Sequence, residues 1–298
     1  MEKIYIAGCG GMLGEAFYNI FNKEYDVKAT DIDINENWLK YLDFRDYNKY
    51  NDQVKLFKPK WLFHLGAYTD LEFCELNQED TYLTNTESVI NAVKISNNLN
   101  IPLLYISTAG IFDGKKEYYN EFDKPNPIGH YAKSKYLGEK YVINNSKKYL
   151  ICRAGWMMGG GPSKDKKFIQ KIMFQIKNGS KLLSIVNDKL GTPTYTHDFA
   201  NNVKKLIEQN EYGLFNMVCE GFTGRLEVAK ELLNILNLKN KIKIKEVDSN
   251  FFSDKYFAER PYCERLINQN LNDKNLNIMR DWKIALKEYL RKYYDNYL

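Results

Sequence analysis

Residues 4–14 constrain this chain more than any other stretch. Ile4-Tyr5-Ile6-Ala7 is a short apolar run of β-formers and reads as a buried strand. It leads into Gly8-x-x-Gly11-x-x-Gly14, and a helix follows from about Met12 to Asn22 with Leu13, Phe17, Ile20 and Phe21 along one side. Glycines in such a turn permit a tight bend and a close approach of backbone to phosphate. The helix behind it offers free N–H groups and positive partial charge to a pyrophosphate. A bare glycine spacing is weak evidence, and the strand before and helix after it strengthen it. Gly8, Gly11, Met12, Leu13 and Gly14 are therefore candidate dinucleotide contacts.

The pattern continues as strand and helix in alternation. A second strand, Asp26–Asp31, ends in an acid about twenty residues past the glycines. An acid there accepts hydrogen bonds from adenosine ribose hydroxyls and repels a 2′-phosphate, and no arginine follows at once to receive one. This favours NADH over NADPH, against the plainer reading of Asp31 as a turn residue. A third strand is expected near 41–44, a helix over 46–57, a fourth strand over Trp61–Ala67, a helix over 79–97, a fifth strand over Leu103–Thr108 and a sixth over Tyr149–Ala154. Asp43 and Phe44, and the small residues Gly66 and Ala67 with Tyr68, join the candidate cofactor contacts. Strands and helices at short intervals predict a parallel sheet covered on both faces, with ligands beyond the carboxyl ends of the strands. The expected class is α/β: a Rossmann-like doubly wound parallel sheet with a smaller C-terminal α/β substrate-binding lobe. Residues 1–155 would form the NAD(P)-binding part and 156–298 mainly the lobe, with segments near 182–218 returning to the main sheet. In that lobe Leu182–Val186 and Gly213–Val218 read as strands, Ile242–Val247 as an edge strand, and about 281–294 as a final helix.

Composition narrows the class further. The chain has 298 residues, 44% hydrophobic, enough for one large α/β domain or a domain with a lobe. Its net charge of +5 is spread along the chain, too dilute for a nucleic-acid footprint. The five cysteines are widely spaced without a Cys-x-x-Cys, which argues against a disulfide framework and fits a reducing cytoplasm. The N-terminal apolar run is too short for a signal peptide, and no segment reaches the ~18 apolar residues of a membrane span. No cluster has metal-ligand spacing, so no metal is expected.

Tyr131-Ala132-Lys133-Ser134-Lys135 carries the chemistry. In a helix, a tyrosine and a lysine four residues apart share one face. A nearby ammonium favours the phenolate, so the pair is suited to pass a proton to or from a substrate oxygen. By itself the spacing is common in Lys-rich helices and equally describes a surface pair.

Several stretches together resemble the extended short-chain dehydrogenase/reductases, and within them the dTDP-4-dehydrorhamnose reductase branch. They are Gly8-x-x-Gly11-Met12-Leu13-Gly14, Leu65-Gly66-Ala67-Tyr68-Thr69, Ile106-Ser107-Thr108 with Phe112-Asp113-Gly114, Pro127 before Tyr131-x-x-x-Lys135, Gly138-Glu139, Arg153 with Trp156, Gly191-Thr192-Pro193-Thr194, and Ala258-Glu259-Arg260-Pro261. The resemblance implies an NAD(P)H-dependent reductase of a 4-keto-6-deoxy nucleotide sugar, with Thr108, Tyr131 and Lys135 catalytic. It implies that Thr69, Trp156, Thr192, Pro193 and Arg260 contact the substrate: Trp156 at the sugar, Arg260 at the diphosphate, Thr192 and Pro193 at the nucleotide end. Core packing for Trp156 and an ion pair for Arg260 are the simpler alternatives. Asn85 matches a position that supports the backbone near the site. A homodimer is compatible with the branch. His64 and His130 read as structural.

One departure stands out. After the threonine the rhamnose reductase pattern has an aspartate and a tyrosine, whereas this chain has Ala109-Gly110. The proton-transfer set is intact, while the identity of the sugar is left open. The same two residues lack the acid and base that a sugar-nucleotide dehydratase carries there. Two other readings remain: a nucleotide-sugar epimerase holding its NAD tightly, and a non-catalytic regulatory subunit like the beta subunit of methionine adenosyltransferase, which resembles the same branch.

Overall fold

A computed structural model describes residues 1–298. The first half alternates as the periodicity predicts: β1 (Lys3–Ala7), α1 (Gly14–Phe21), β2 (Asp26–Asp31), β3 (Leu39–Tyr41), α2 (Tyr47–Phe57), β4 (Trp61–His64), α3 (Leu71–Leu76), α4 (Gln78–Tyr82), a π-helical turn (Leu83–Glu87), α5 (Ser88–Leu99), β5 (Leu103–Thr108), α6 (His130–Asn145) and β6 (Tyr149–Ala154). The second half is more broken: β7 (Trp156–Met158), α7 (Gly161–Lys164), α8 (Phe168–Lys177), β8 (Leu182–Val186), β9 (Leu190–Gly191), β10 (Pro193–Tyr195), α9 (Thr196–Glu208), β11 (Gly213–Asn216), β12 (Thr223–Gly224), α10 (Arg225–Ile235), β13 (Lys243–Val247), β14 (Cys263–Glu264), α11 (Gln269–Asp273) and α12 (Trp282–Tyr294).

Seven parallel strands form the main sheet in the order β11-β6-β5-β4-β1-β2-β3. The chain leaves β1 towards β2 and β3, then returns to its other side at β4. The turn after β1 therefore sits where the strand order reverses, the place at which such sheets leave a crevice. Both faces are buried, as near-continuous apolar strands require. Ile4 and Ile6 pack into a large core with α1, α8, α9, α10 and α12, while Tyr5 and Ala7 face a second core with α2, α5 and α6.

Several boundaries differ from expectation. The third strand ends at Tyr41; Leu42 still donates to the Asp31 carbonyl at 3.0 Å, but Asp43 turns away to hold Arg45. The fourth strand stops at His64, because only Leu65 keeps one more ladder bond, to Ala7. The expected helix over 79–97 is interrupted by the π-turn, with Asn85 in it, and α3 precedes it unannounced. In the second half only β11 rejoins the main sheet; β8 pairs with β13 and β10 with β7 in small sheets of their own. The five cysteines are all free and buried, and no helix is long and apolar enough to cross a membrane.

A buried ion pair ties α6 to the sheet. Arg153 on β6 donates to Glu139 on α6 at 3.0 and 2.6 Å, with both side chains almost fully buried. Removing one partner strands a charge away from water. Arg153→Ala is expected to lower the unfolding free energy by about 3–5 kcal/mol in urea titrations, whereas Arg153→Met with Glu139→Leu should recover much of it. A loss below about 1 kcal/mol in the single variant would contradict this account.

Candidate active site

A cavity of about 560 Å3 opens along the carboxyl ends of the strands. On one side lie Gly8, Gly11, Met12, Leu13, Asp31, Asp43, Phe44, Gly66, Ala67, Tyr68 and Thr69; on the other are Thr108, Tyr131, Lys135, Trp156, Pro193 and Arg260. Gly14 and Thr192 are the sequence-predicted contacts that do not line it. Gly14 opens α1 behind the turn, and Thr192 is buried, its carbonyl accepting the Trp156 N–H at 2.9 Å.

The glycine turn is built for close approach. Gly8 has φ of +78°, and a Cβ on it would stand 2.2 Å from the Gly66 backbone. Gly11 is the reverse case: a Cβ there would meet nothing within 4 Å, so its face is open to the cavity. The N–H groups of Gly11, Met12 and Leu13 find no acceptor in the protein, while Gly10 N–H is taken by Asp31 at 2.8 Å. Three unspent donors at the head of a helix fit a pyrophosphate, and these residues would hold the dinucleotide there. Asp31 also accepts from Asp33 N–H at 3.0 Å, so it braces the turn and faces the cavity at once. Nearby cations are already engaged: Arg45 with Asp43 at 2.7 Å, and Lys164 with Glu36 at 2.7 Å.

Across the cavity, Thr108 ends β5 and its hydroxyl accepts the Gly110 N–H at 3.1 Å. Tyr131 and Lys135 fall in the first two turns of α6 and so do lie in one helix. Asn85 clamps the loop after β4, accepting from Tyr68 N–H at 2.8 Å and donating to Tyr68 carbonyl at 3.0 Å and Ser134 Oγ at 3.1 Å. This is the backbone support the resemblance implied, and the π-turn is what aims it.

The electrostatics depart from the simple expectation. Burial pushes the Tyr131 phenol up to about 12, with its interaction with Thr108 working the other way. Burial pushes Lys135 down to about 7, partly offset by the Glu139 carboxylate. Both groups lose water, and for the phenol this outweighs the lowering effect of Thr108. Tyr131 is therefore a protonated acid at neutral pH. Lys135 also lies 4.4 Å from the centre of the Tyr105 ring, which favours its charged form. His64 is locked between Tyr50 and Ser88 and held near 3 by burial, and His130 bonds Tyr82 outside the cavity, as expected of structural residues.

One arginine is paired as its simpler alternative foresaw, and another lines the cavity unannounced. Arg260 lines the cavity, but its guanidinium forks onto Glu72 at 2.7 and 2.8 Å and onto the Ala258 carbonyl at 2.7 Å. Arg225, which no sequence motif marked, lies with its guanidinium 3.7 Å over the Trp156 ring and no carboxylate within ion-pair distance. Burial pulls it down to about 10. A residue opening a helix in the C-terminal part carries no spacing signal that would have found it.

With this geometry in view, the profile of the RmlD substrate binding domain matches residues 1–295. The chain belongs to that family. It is 30% identical to a dTDP-4-dehydrorhamnose reductase from Clostridium acetobutylicum, whose structure superposes with a TM-score of 0.88 over 97% of this chain and 99% of that one. A dTDP-4-dehydrorhamnose reductase from Bacillus anthracis in complex with NADP is 27% identical, with a TM-score of 0.87 over 98% and 99% of the two chains. The Aggregatibacter actinomycetemcomitans dTDP-4-dehydrorhamnose reductase is 29% identical over 74% of each chain. The protein is an NAD(P)-binding oxidoreductase of the short-chain dehydrogenase/reductase type, a sugar-nucleotide reductase, and the epimerase and regulatory-subunit readings are not favoured.

Lys135 yields a test independent of turnover. Its folded pKa near 7 lies below the ordinary 10.5, so the unfolded chain binds more protons between those values. The cost of burying its charge is thus full below pH 7 and relieved as pH rises. The stability of the protein relative to Lys135→Met should rise by up to about 1.4 kcal/mol per pH unit above pH 7. Parallel curves from pH 6 to 9.5 would contradict it.

Proposed function

We propose that this reductase acts on the ketone of a 4-keto-6-deoxy nucleotide sugar, with Tyr131 as proton donor. The observation that carries the reading is convergence: the open glycine turn, Thr108, Tyr131 and Lys135 share one cavity wall system, at the reversal point of the sheet. A bound nicotinamide supplies the hydride. The Thr108 hydroxyl orients the carbonyl oxygen. Tyr131 keeps its proton at Oη until charge develops on that oxygen, which then becomes basic enough to take it. Lys135, charged, steadies the phenolate left behind. Such general acid help is worth about 10²–10⁴ in rate.

Trp156, Thr69 and Pro193 are proposed to bound the sugar and nucleotide. Arg225 rather than Arg260 is the guanidinium left to meet a diphosphate, since Arg260 is committed to Glu72. Thr192 acts through the backbone of Trp156. We place residues 1–155 as the cofactor-binding part and 156–298 as mainly the substrate lobe. We also propose that the enzyme works in the cytoplasm, as a homodimer, without nucleic acid.

Tyr131→Phe should reduce kcat by about 10² or more with a panel of 4-keto sugar nucleotides, while NAD(P)H titration still shows binding. Turnover that survives the change would remove Tyr131 from the chemistry.

For the cofactor we propose a preference for NADH. Asp31 faces the cavity and the cations near it are already paired, so a 2′-phosphate would meet uncompensated negative charge. Like charges about 4 Å apart repel by roughly 1 kcal/mol in water and ~4 at an effective dielectric of 20. Asp31→Asn should therefore raise the NADPH-to-NADH ratio of kcat/KM about tenfold or more. An unchanged ratio would leave the preference without a cause.

A further inference from the structure

The space beside Gly110 is bordered by a carboxylate from elsewhere in the chain. A Cβ on Gly110 would stand 3.4 Å from Glu264 Oε1, 3.5 Å from Thr108 Oγ1 and 3.8 Å from Tyr131 Cε1. One point in the cavity is thus ringed by the two groups proposed to meet the ketone oxygen and by a carboxylate. Glu264 comes from β14, more than a hundred residues away, in register beside Gly191 on β9. It is held firmly. Its Oε2 accepts the Trp156 indole N–H at 2.8 Å, and Arg225 covers the same indole at 3.7 Å from the ring centre. Its Oε1 takes no donor from the protein.

An ionised carboxylate only accepts hydrogen bonds. A partly buried one with a free oxygen beside a reaction centre is satisfied by a ligand that brings a donor. The group on a sugar ring that can do so while the ketone oxygen rests on Thr108 and Tyr131 is a hydroxyl on the carbon next to the ketone. We infer that Glu264 is the specificity-determining residue of this pocket: its Oε1 accepts the hydrogen bond of the hydroxyl vicinal to the ketone, in the space that Gly110 leaves open. The inference rests on the nucleotide-sugar reading above and deepens it. The enzyme then selects 4-keto sugars that retain the neighbouring hydroxyl at carbon three and rejects their 3-deoxy counterparts. A site built around a substrate hydroxyl penalises an analogue without it, because the buried acceptor is left unpaired.

Glu264→Gln is the informative variant. The amide oxygen can keep the Trp156 contact, while an N–H donor replaces the acceptor that faces the ligand. Two readouts are taken on wild type and variant. One is calorimetric binding of dTDP- and UDP-6-deoxyhexoses and of their 3-deoxy analogues. The other is NADH oxidation with the corresponding 4-keto forms. Melting temperature and NADH affinity serve as controls and should not move. Wild type should favour the hydroxylated ligand by roughly 10- to 150-fold, the worth of a hydrogen bond to a charged group, and the variant should lose most of that preference by weakening the hydroxylated ligand alone. A preference absent in wild type, or equal in both proteins, overturns the inference, as does an equal loss for both ligands, which is what a merely structural role would give. Binding selectivity that disappears in the variant while no 4-keto sugar is reduced would uphold Glu264 and overturn the reductase reading. No binding and no turnover with any of these ligands would overturn both.

Discussion

Helix α6 lies so close to the sheet that Gly138 has no room for a side chain. A Cβ there would stand 2.8 Å from the Tyr105 hydroxyl and 2.9 Å from the Asn85 carbonyl. That approach lets Tyr105 donate to the Lys135 carbonyl at 3.0 Å and Thr86 donate to the Ser134 carbonyl at 2.8 Å. The backbone of α6 at Ser134 and Lys135 is thereby bonded to the π-turn and to β5. Tyr131 and Lys135 are placed by the body of the sheet, not by a loop. The π-turn belongs to the same arrangement, since it turns Asn85 to hold both α6 and the loop after β4.

The charges beneath the site follow from this closeness. Glu139, one turn past Lys135, is fully buried, and Arg153 on β6 neutralises it with two hydrogen bonds. Lys135 has no carboxylate of its own within ion-pair distance. It feels Glu139 at longer range and the Tyr105 ring below it. A lysine in such surroundings sits near the balance between its charged and neutral forms, and the adjoining phenol is kept firmly protonated. That combination suits the proposed reduction, in which the phenol would give up a proton.

The other half of the pocket is assembled from short pieces. β7, β9, β10, β12 and β14 are two or three residues each, and their pairings bring Trp156, Arg225 and Glu264 together from three distant stretches. The Arg260–Glu72 pair joins the segment before β14 to α3. The proposed cofactor side is thus set by one continuous βα turn, and the proposed substrate side by tertiary contacts among fragments.

That division also marks what was legible in the sequence. β1, β5 and β6 are apolar runs bounded by turn residues. The glycine spacing and the Tyr131–Lys135 pair are local features whose geometry follows from a strand turn and a helix face. So the parallel sheet, the open glycine turn and the Tyr131–Lys135 spacing on one helix face could be read from residue order, while Thr108 entered only through the family resemblance. The π-turn could not, because no local pattern in 83–87 distinguishes it from the α-helical turns on either side. Nor could the partner of Arg260, the exposure of Arg225 to the cavity, or the carboxylate beside Gly110. Those depend on which of many charged side chains meet after the chain has closed on itself. The sequence alone determined the βα framework and the placing of Tyr131 and Lys135 on one helix face, because both arise from neighbours within a few turns. Only the tertiary structure decided which charges face the cavity, because burial and pairing are properties of the packed whole.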